Sequence, residues 1–227
     1  MENGRGAAHR WVDVGPDRIE KWLNSFSDRH GSTVTETGGA STAVVRVRAA
    51  DGALAECYVP FPPLTVGATP EGGYGAELAA HAGADRTVAV LLVRLGGYAA
   101  GVFAGPDARL VASKVGSRLV HGRSAAGGTS QHRFARRREK QVREALEAAA
   151  DCAVGVFSGY AGRLDALVLG GDKRAISALR DDVRLRPYFD IAVDRFLTVP
   201  DPRLVVLKQT PRQFRSIRIE LTEPASE

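Results

Sequence analysis

The residues best suited to chemistry lie in one segment, in which a glycine-rich stretch is followed directly by an arginine-rich one. From Arg123 to Lys140 the segment reads RSAAGGTSQHRFARRREK. Backbone N–H groups of glycine-rich loops and of helix N-termini bind phosphate, and arginine adds bidentate hydrogen bonds. The segment therefore predicts a site for phosphate groups, and the backbone of RNA is their most obvious source.

The positive charge of the chain is concentrated around this segment. The 227 residues include 31 Lys and Arg and 26 Asp and Glu, a net charge of +5. Between Ala108 and Arg143 there are ten basic residues and one acidic residue, so this window carries +9 and the remainder of the chain −4. A localised basic surface favours a polyanionic partner. The residues predicted to bind RNA are Lys114, Arg118, Arg123, His132, Arg133, Arg136, Arg137, Arg138 and Lys140.

Simpler interpretations of the segment stay open at this point. An arginine-rich helix can be only a solvated face, a Gly-Gly pair often forms only a turn, and His132 could be solvated. No GK[ST] follows the glycines and no GxGxxG occurs, so the sequence has neither a P-loop nor a dinucleotide-binding fingerprint. Ser130 and His132 are too close in sequence to be judged as a nucleophile and its base.

Composition indicates a folded chain in a reducing cytosol. Hydrophobic residues make up 44% and charged residues 25%, close to average globular usage. The start, MENGRGAAHRWVDVG, lacks the apolar core of a secretory signal, and the longest apolar run, Val88 to Val93, is too short to cross a bilayer. Cys57 and Cys152 are far apart and form no CxxC motif. We therefore expect no disulfide framework, no metal site, no cofactor and no membrane partner.

The elements before the basic segment predict a small α+β unit over residues 1–84. Apolar residues at Ile19, Trp22, Leu23 and Phe26 have the spacing of a short helix. Ala43 to Arg48 and Leu54 to Val59 predict a β-hairpin. Pro60 to Ala84 is rich in proline and glycine, which is typical of a connector, although Glu77 to Ala82 could form a helical turn.

The elements around the basic segment predict a second domain over residues 85–227. Three strands joined by short turns indicate an antiparallel meander: Thr87 to Leu95, Tyr98 to Ala104 and Arg109 to Val120. A loop, Gly122 to Ser130, then leads into a helix from about Gln131 to Val154, with Thr129 or Ser130 as N-cap. Asp165 to Gly170 predicts a strand added in parallel, followed by a helix, Lys173 to Leu179. The last strand is Ser216 to Leu221, and residues 181–215 have no assignment.

The long helix shows where the basic residues must lie. Its apolar positions repeat at helical spacing only in the second half, at Val142, Ala145, Leu146 and Ala149. The first turns are therefore expected to project from the core. Cations in the first turn of a helix are disfavoured by the helix dipole, which makes sense if a polyanion binds there.

These features together resemble a known family. The predicted domain looks like the central domain of archaeal and eukaryotic class-I release factors. The shared features are a meander, a projecting loop with Gly-Gly and then Gln, a long basic helix and a further βα unit. The stretch GGTSQHRFARRREKQ resembles more closely the Vms/ANKZF-like release factors, whose actinobacterial branch consists of peptidyl-tRNA hydrolases of about this size. The resemblance covers roughly Asp85 to Leu221. The family's Gly-x-x-Gln pattern falls on Gly128, Thr129, Ser130 and Gln131, preceded by Gly127, whereas in the standard release-factor motif glutamine directly follows the two glycines.

The resemblance implies both a fold and an activity. It implies a mixed α/β protein, with a small α+β unit before a catalytic domain that has an RNase-H-like sheet. It also implies a cytoplasmic peptidyl-tRNA hydrolase, free of cofactors, that acts in ribosome quality control on stalled or obstructed large ribosomal subunits, where it contacts rRNA and peptidyl-tRNA. The sequence leaves the oligomeric state open, and we expect a monomer. Gln131 would be the catalytic residue, because its amide can hold a water beside the ester while the ribosome and the terminal ribose of tRNA supply the remaining catalysis.

Two alternatives to ester hydrolysis stay open. The chain could be a non-catalytic module that binds tRNA or rRNA, or it could release the peptide by cutting the tRNA near its 3′ end. A metal-dependent nuclease is a poor candidate, because such enzymes need clustered carboxylates on their strands, and residues 87–104 contain no Asp or Glu.

Overall fold

The chain folds into two compact units. The computed structural model describes residues 8–39, 41–65, 73–94, 96–117 and 130–224. The first unit comprises Met1–Ala84 and Arg212–Glu227, and the second comprises Asp85–Pro211. Each unit has its own cluster of buried apolar side chains. Because both units combine helices with sheets, the predicted mixed α/β fold is confirmed.

The first unit is built on an antiparallel sheet and two helices. Its elements up to Ala84 are β1 (Ala8–Val14), α1 (Ile19–His30), β2 (Thr33–Thr37), β3 (Ser41–Thr42), β4 (Val44–Ala49), β5 (Leu54–Tyr58), β6 (Leu64–Thr65) and α2 (Gly73–Gly83). The predicted hairpin is confirmed, since β4 and β5 pair in antiparallel register. The predicted apolar stripe of α1 is also confirmed, with Ile19 and Phe26 fully buried and Trp22 stacked on Phe26 at 5.7 Å between ring centroids.

The second unit contains a five-stranded mixed sheet. Its elements are β7 (Val88–Arg94), β8 (Gly97–Ala104), β9 (Arg109–Ser117), α3 (Ser130–Phe157), β10 (Ala166–Gly171), α4 (Lys173–Leu179), α5 (Arg186–Phe189), β11 (Ala192–Leu197) and α6 (Leu204–Phe214), the last of which crosses the boundary of the unit. The strand order is β11-β10-β7-β8-β9. Strands β7, β8 and β9 form the predicted antiparallel meander, and β10 and β11 add in parallel. This order and these directions are those of an RNase-H-like sheet.

Both faces of this sheet are covered, which explains the continuous apolar run of β7. Helix α3 packs on one face, against β7, β8 and β9. On the other face Leu207 of α6 lies against Gly101, where a Cβ atom would come within 2.9 Å of the leucine side chain. A strand that is covered on both sides is apolar at every position rather than at alternate ones. The burial of Val88 through Val93 follows this pattern.

The last strand corrects the predicted extent of the second domain. Strand β12 (Ile217–Glu223) belongs to the first unit, where it pairs antiparallel with β1 and with β5 and completes the order β1-β12-β5-β4-β2. The sequence pattern predicts it in a domain spanning residues 85–227. Ile217, Ile219 and Leu221 are fully buried in the core of the first unit, so alternate residues of β12 face that core. Local patterning predicted the strand but could not select its partners.

Two other segments contain more structure than the sequence predicted. The proposed connector includes α2, whose Leu78 and Ala82 are buried in the core of the first unit. The unassigned residues 181–215 contain α5, β11 and all of α6. Strand β11 lies at the edge of its sheet, and Asp194 and Arg195 interrupt its apolar residues. Such an interrupted pattern carries little strand signal.

Candidate nucleic-acid interface

Helix α3 carries the candidate site at its N-terminal end. The helix begins at Ser130, so Gln131, His132 and Arg133 lie in its first turn, as predicted for a helix start at this place. Five predicted site residues lie outside the described residues: Arg118, Arg123, Gly127, Gly128 and Thr129. What the structure adds is therefore the position of the helix itself.

The two halves of α3 have different environments. Ala149, the first buried residue after position 136, begins a stretch that packs on the sheet and includes Cys152, Ala153, Val156 and Phe157. Residues 136–148 are all exposed or half-buried. Leu146 packs against the core of this unit, so the predicted projection of the first turns is confirmed for residues 136–141.

The rise of the helix gives the reach of this projection. Val142 and Leu146 lie beside Val93 and Gly97, at the carboxyl end of β7. Gln131 precedes Val142 by eleven residues, and an α-helix rises about 1.5 Å per residue. The backbone of Gln131 therefore lies about 16 Å along the helix axis from Val142, which is beside the carboxyl edge of the sheet.

The helical repeat separates Gln131 from most of the basic residues. Positions 131, 135, 138, 142, 145 and 149 follow one another at intervals of four and three, so they share one face of α3, the face that packs on the sheet at Ala149. Five basic positions fall roughly 120° or more around the axis from position 131: Arg133, Arg136, Arg137, Lys140 and Arg143. The helix therefore has an inner face that carries position 131 and a basic outer face.

The described side chains agree with this division. Arg136, Arg137, Lys140 and Arg143 are exposed, whereas Arg138, on the inner face, is half-buried. Lys140 lies 3.7 Å from Glu144, an exposed pair of the kind that contributes at most about 1 kcal/mol. The arginines of residues 136–148 make no ion pair with any residue that the structure describes. Their guanidinium groups are therefore available for phosphate.

The structure does not bring Lys114 to this cluster. Lys114 lies on the edge strand β9, and its carbonyl oxygen accepts a hydrogen bond from Sγ of Cys152 at 3.4 Å. Cys152 follows Gln131 by twenty-one residues, about 30 Å along the helix axis. Lys114 and the arginines of the first turns therefore lie at opposite ends of α3.

The described groups offer no strong rival catalyst. Burial raises the pKa of the Cys57 thiol to about 12, and burial is also the main cause that raises the pKa of Cys152. Thiols with raised pKa values are poor nucleophiles at neutral pH. Across the described ranges no group of three His, Cys, Asp or Glu side chains could hold a metal ion. Nor does any described helix combine the length and apolar character needed to cross a membrane.

Comparison with known proteins gives the family. The family model described as the Actinobacteria/chloroflexi VLRF1 release factor matches residues 86–220, which is more than half of the chain. The chain belongs to this family. The resemblance found in the sequence is thereby confirmed, and membership assigns the protein to translation, as a release factor. No curated protein matches the chain in sequence.

Solved structures show only distant likeness to this release-factor chain. The archaeal translation termination factor aRF1 is 14% identical, with 92% of this chain and 68% of that chain covered, at a TM-score of 0.44. The Vms1 mitochondrial localization core is 9% identical, with coverage of 93% and 82% and a TM-score of 0.40. Pelota of Archaeoglobus fulgidus is 14% identical, with coverage of 95% and 65% and a TM-score of 0.27. None of these similarities carries a conclusion about this chain.

Two features of this release-factor domain were missed from the sequence. The first is the division of α3 into two faces, which the spacing of four and three residues from Gln131 to Ala149 could have revealed. The second is a cavity of about 270 Å³ at the base of the projecting turns, between α3, α4 and the carboxyl end of β7. No local signal predicts this cavity, because its walls come from parts of the chain that are far apart in sequence.

Proposed function

We propose that the protein is a cytoplasmic peptidyl-tRNA hydrolase that frees the nascent peptide on stalled or obstructed large ribosomal subunits. The observation that carries the proposal is the projecting helix, in which position 131 lies about 16 Å along the axis from Val142 at the sheet edge, on a face that differs from the basic one. A narrow rod with phosphate-binding residues on one side suits entry into a cavity walled by RNA. The family's role in release supports this assignment.

In the proposed mechanism the arginines bind and Gln131 orients. The outer face of α3 contacts rRNA phosphates through Arg133, Arg136, Arg137 and Arg143, which places the first turn beside the ester of peptidyl-tRNA. Arg118, Arg123, Lys140 and His132 are proposed as further RNA contacts, and Gly127 to Ser130 as the loop that lets the backbone approach the RNA. Lys114 would contact a different part of the RNA, because it lies at the other end of the helix.

The chemical step is hydrolysis of one ester. Glutamine neither gives up nor takes a proton at neutral pH, so Gln131 acts by holding a water through its amide carbonyl and NH₂ groups. The oxygen of this water attacks the ester carbonyl, and the bond between that carbon and the ribose oxygen breaks. One proton of the water passes to the ribose oxygen through groups that the RNA supplies, and the second is released to solvent when the new carboxyl group ionises. The products are a peptide with a free carboxylate and a full-length tRNA with a free terminal hydroxyl.

Substitution of Gln131 tests the proposal on stalled large subunits that carry peptidyl-tRNA. We expect Gln131→Ala to bind these subunits within about 1 kcal/mol of the wild type, because one neutral side chain contributes little beside many phosphate contacts. Release should slow by about 10²-fold or more, since the attacking water loses its position. Gln141→Ala, which removes the same amide from the same helix ten residues later, is the matched control and should release at the wild-type rate.

The tRNA product distinguishes ester hydrolysis from cleavage within the tRNA. Ester hydrolysis leaves a tRNA that a synthetase can charge again, whereas a cut near the 3′ end leaves a shortened tRNA that cannot be recharged. If only shortened tRNA were recovered, the protein would release the peptide by cutting the tRNA rather than by hydrolysing the ester. If Gln131→Ala released peptide at the wild-type rate, the remaining interpretation would be a non-catalytic module that binds tRNA or rRNA.

A further inference from the structure

The cavity at the base of the projecting helix has the lining of a nucleotide site, and we propose that it binds one unpaired nucleotide of the RNA that this protein contacts. It measures about 270 Å³ and opens at the carboxyl end of β7 and β10. In open α/β sheets ligands bind outside the carboxyl ends of the strands. The inference rests on the proposed function only in taking the ligand to be RNA.

The walls of the cavity suit the flat, apolar face of a base. Val142, Ala145 and Leu146 of α3 form one side, and Val93 of β7 and Tyr98 of β8 form another. Bases of unpaired RNA bind by stacking on aromatic and apolar side chains, largely without regard to their identity. The volume lies just below the usual range for ligand pockets, so the cavity fits the base of a single nucleotide rather than a longer segment.

The aromatic wall is built into the sheet. Gly116 lies opposite Tyr98 on the neighbouring strand β9. A Cβ atom at position 116 would come within 2.5 Å of the tyrosine ring, so the ring occupies the space that any other residue would fill. The orientation of Tyr98 is therefore determined before a ligand binds, which lowers the entropic cost of stacking.

The charges around the cavity favour an anion. Arg94 and Arg174 line it, and Nη1 of Arg94 donates to the carbonyl oxygen of Val199 at 2.8 Å, which positions that guanidinium. Arg174 is exposed, and its side chain makes no hydrogen bond or ion pair with any part of the chain that the structure describes. Asp172 also lines the cavity, but one of its carboxylate oxygens accepts from the N–H groups of Arg174 and Ala175 as the N-cap of α4. The two arginines thus outnumber the one acid, as phosphate binding requires.

The position of the cavity links it to the proposed catalytic end. Val142 and Ala145 share the inner face of α3 with position 131, and half-buried Arg138 lies on that face one turn before Val142. A nucleotide in the cavity and the ester at Gln131 would therefore lie on the same side of the helix, about 16 Å apart. The site would set the register of the RNA along the helix, whereas the outer arginines bind it without regard to sequence.

Binding of short RNA by the full-length chain, without ribosomes, tests the inference. The probes are a single-stranded RNA tetranucleotide and an abasic tetranucleotide of equal charge, titrated by NMR with backbone amides as reporters. We expect the RNA, and not the abasic probe, to shift the amides of Tyr98, Leu146 and Ala175. The RNA should bind at least about fivefold more tightly than the abasic probe, the effect of stacking one base.

Paired variants identify the cavity as the place of binding. Ala145→Met fills it from α3, and Arg174→Ala removes a cation from its rim, so each should weaken RNA binding about fivefold or more. Ala148→Met places the same side chain on α3 outside the cavity, and Arg203→Ala removes an exposed arginine elsewhere, so both should bind within twofold of the wild type. Because Arg174→Ala adds no bulk, it keeps the test valid if Ala145→Met does not fold.

Three results would overturn the inference. Equal affinity for the RNA and abasic probes would show that phosphate contacts elsewhere account for all binding. Equal binding by Ala145→Met, Arg174→Ala and their controls would place the base outside the cavity. Shifts of the same amides by N-acetyl-leucine amide but not by RNA would make the cavity a site for an apolar side chain of a protein. Each of these results is independent of the release assay. The nucleotide site can therefore be rejected while Gln131→Ala still slows release, and it can be supported while Gln131→Ala releases peptide normally.

Discussion

At the residue scale, the candidate site depends on groups whose effect comes from their position rather than from unusual acidity. An amide cannot exchange protons at neutral pH, so Gln131 can promote hydrolysis only if the helix holds it against the ester. Arg133, Arg136, Arg137 and Arg143 lie on the opposite side of α3 from position 131, whereas Arg138 shares its side. A change at Gln131 should therefore affect chemistry with little effect on binding, and changes on the outer face should do the reverse.

The glycine that ends β10 also acts through its position. Gly171 has a φ of +101°, and a Cβ atom there would collide with the carbonyl oxygen of Val93, next to the cavity. We predict that Gly171→Ala destabilises the second unit by about 1–3 kcal/mol, because a strained backbone and a collision both result. Urea unfolding followed by circular dichroism measures this change.

Gly155 provides a matched control of opposite sign. It lies in the interior of α3, it is exposed, and an added Cβ would meet nothing within 4 Å. Gly155→Ala should therefore stabilise the protein by about 0.5–1 kcal/mol. Equal effects of the two substitutions would contradict the structural distinction between these glycines.

At the element scale, α3 combines a projecting N-terminal half with a C-terminal half that packs on the sheet. Its 28 residues span about 42 Å, and the part packed on the sheet is the C-terminal half, from Leu146 onward. The packed half provides the stability that a solvent-exposed helix lacks by itself. The projecting half can consequently carry a dense row of like charges, which would repel one another in the absence of a polyanion.

We predict that the outer face of α3 determines how steeply binding to large subunits depends on salt. Each phosphate contact adds about 0.7–0.9 to the slope of log affinity against log salt concentration. The triple variant Arg136→Ala, Arg137→Ala, Arg143→Ala should therefore lower this slope by about 2–3. Filter binding over a range of potassium chloride concentrations measures it.

The control for this prediction removes the same charge from another place. Arg203, Lys208 and Arg212 are exposed on or beside α6, and their joint replacement by alanine changes the net charge by the same amount. This variant should keep the wild-type slope. If both triple variants lowered the slope equally, net charge rather than the outer face of α3 would govern binding.

At the scale of the whole molecule, the first unit is discontinuous in sequence. Its sheet places β12, from the end of the chain, between β1 and β5 from the beginning. The second unit, residues 85–211, is inserted between these parts. A central strand supplies hydrogen bonds on both edges and core side chains from one face, so the first unit should not fold without it.

We predict that truncation after Pro211 unfolds the first unit. Both tryptophans of the chain, Trp11 and Trp22, belong to that unit, so tryptophan fluorescence reports on it alone. Loss of β12 should shift the emission to the wavelength of the unfolded chain. A chain that ends at Pro224, which retains all of β12, should keep the native emission. Native emission from the shorter chain would show that β12 is dispensable.

The sequence by itself determined much of this protein, namely the features that depend on neighbours along the chain. The apolar run at β7, the alternating residues of β4 and the amphipathic second half of α3 each follow from the period of one element, and the structure confirms them. The segment around Gln131 also indicated a release factor, and the family match confirms that. The two-faced character of α3 could have been predicted as well, because helical phase depends only on residue spacing.

Only the tertiary structure decided the features that depend on contacts between distant segments. The alternating residues of β12 predicted a strand, but either sheet offered an edge, and burial of Ile217, Ile219 and Leu221 against the first core selected its partners. Lys114 is close in sequence to the basic loop, yet the packing of β9 against the far half of α3 places it about 30 Å from Gln131. The cavity beside Tyr98 forms where α3, α4 and the carboxyl end of β7 meet at one edge of the sheet. Tertiary packing brings these segments together, and the spacing of residues within any one of them does not predict it.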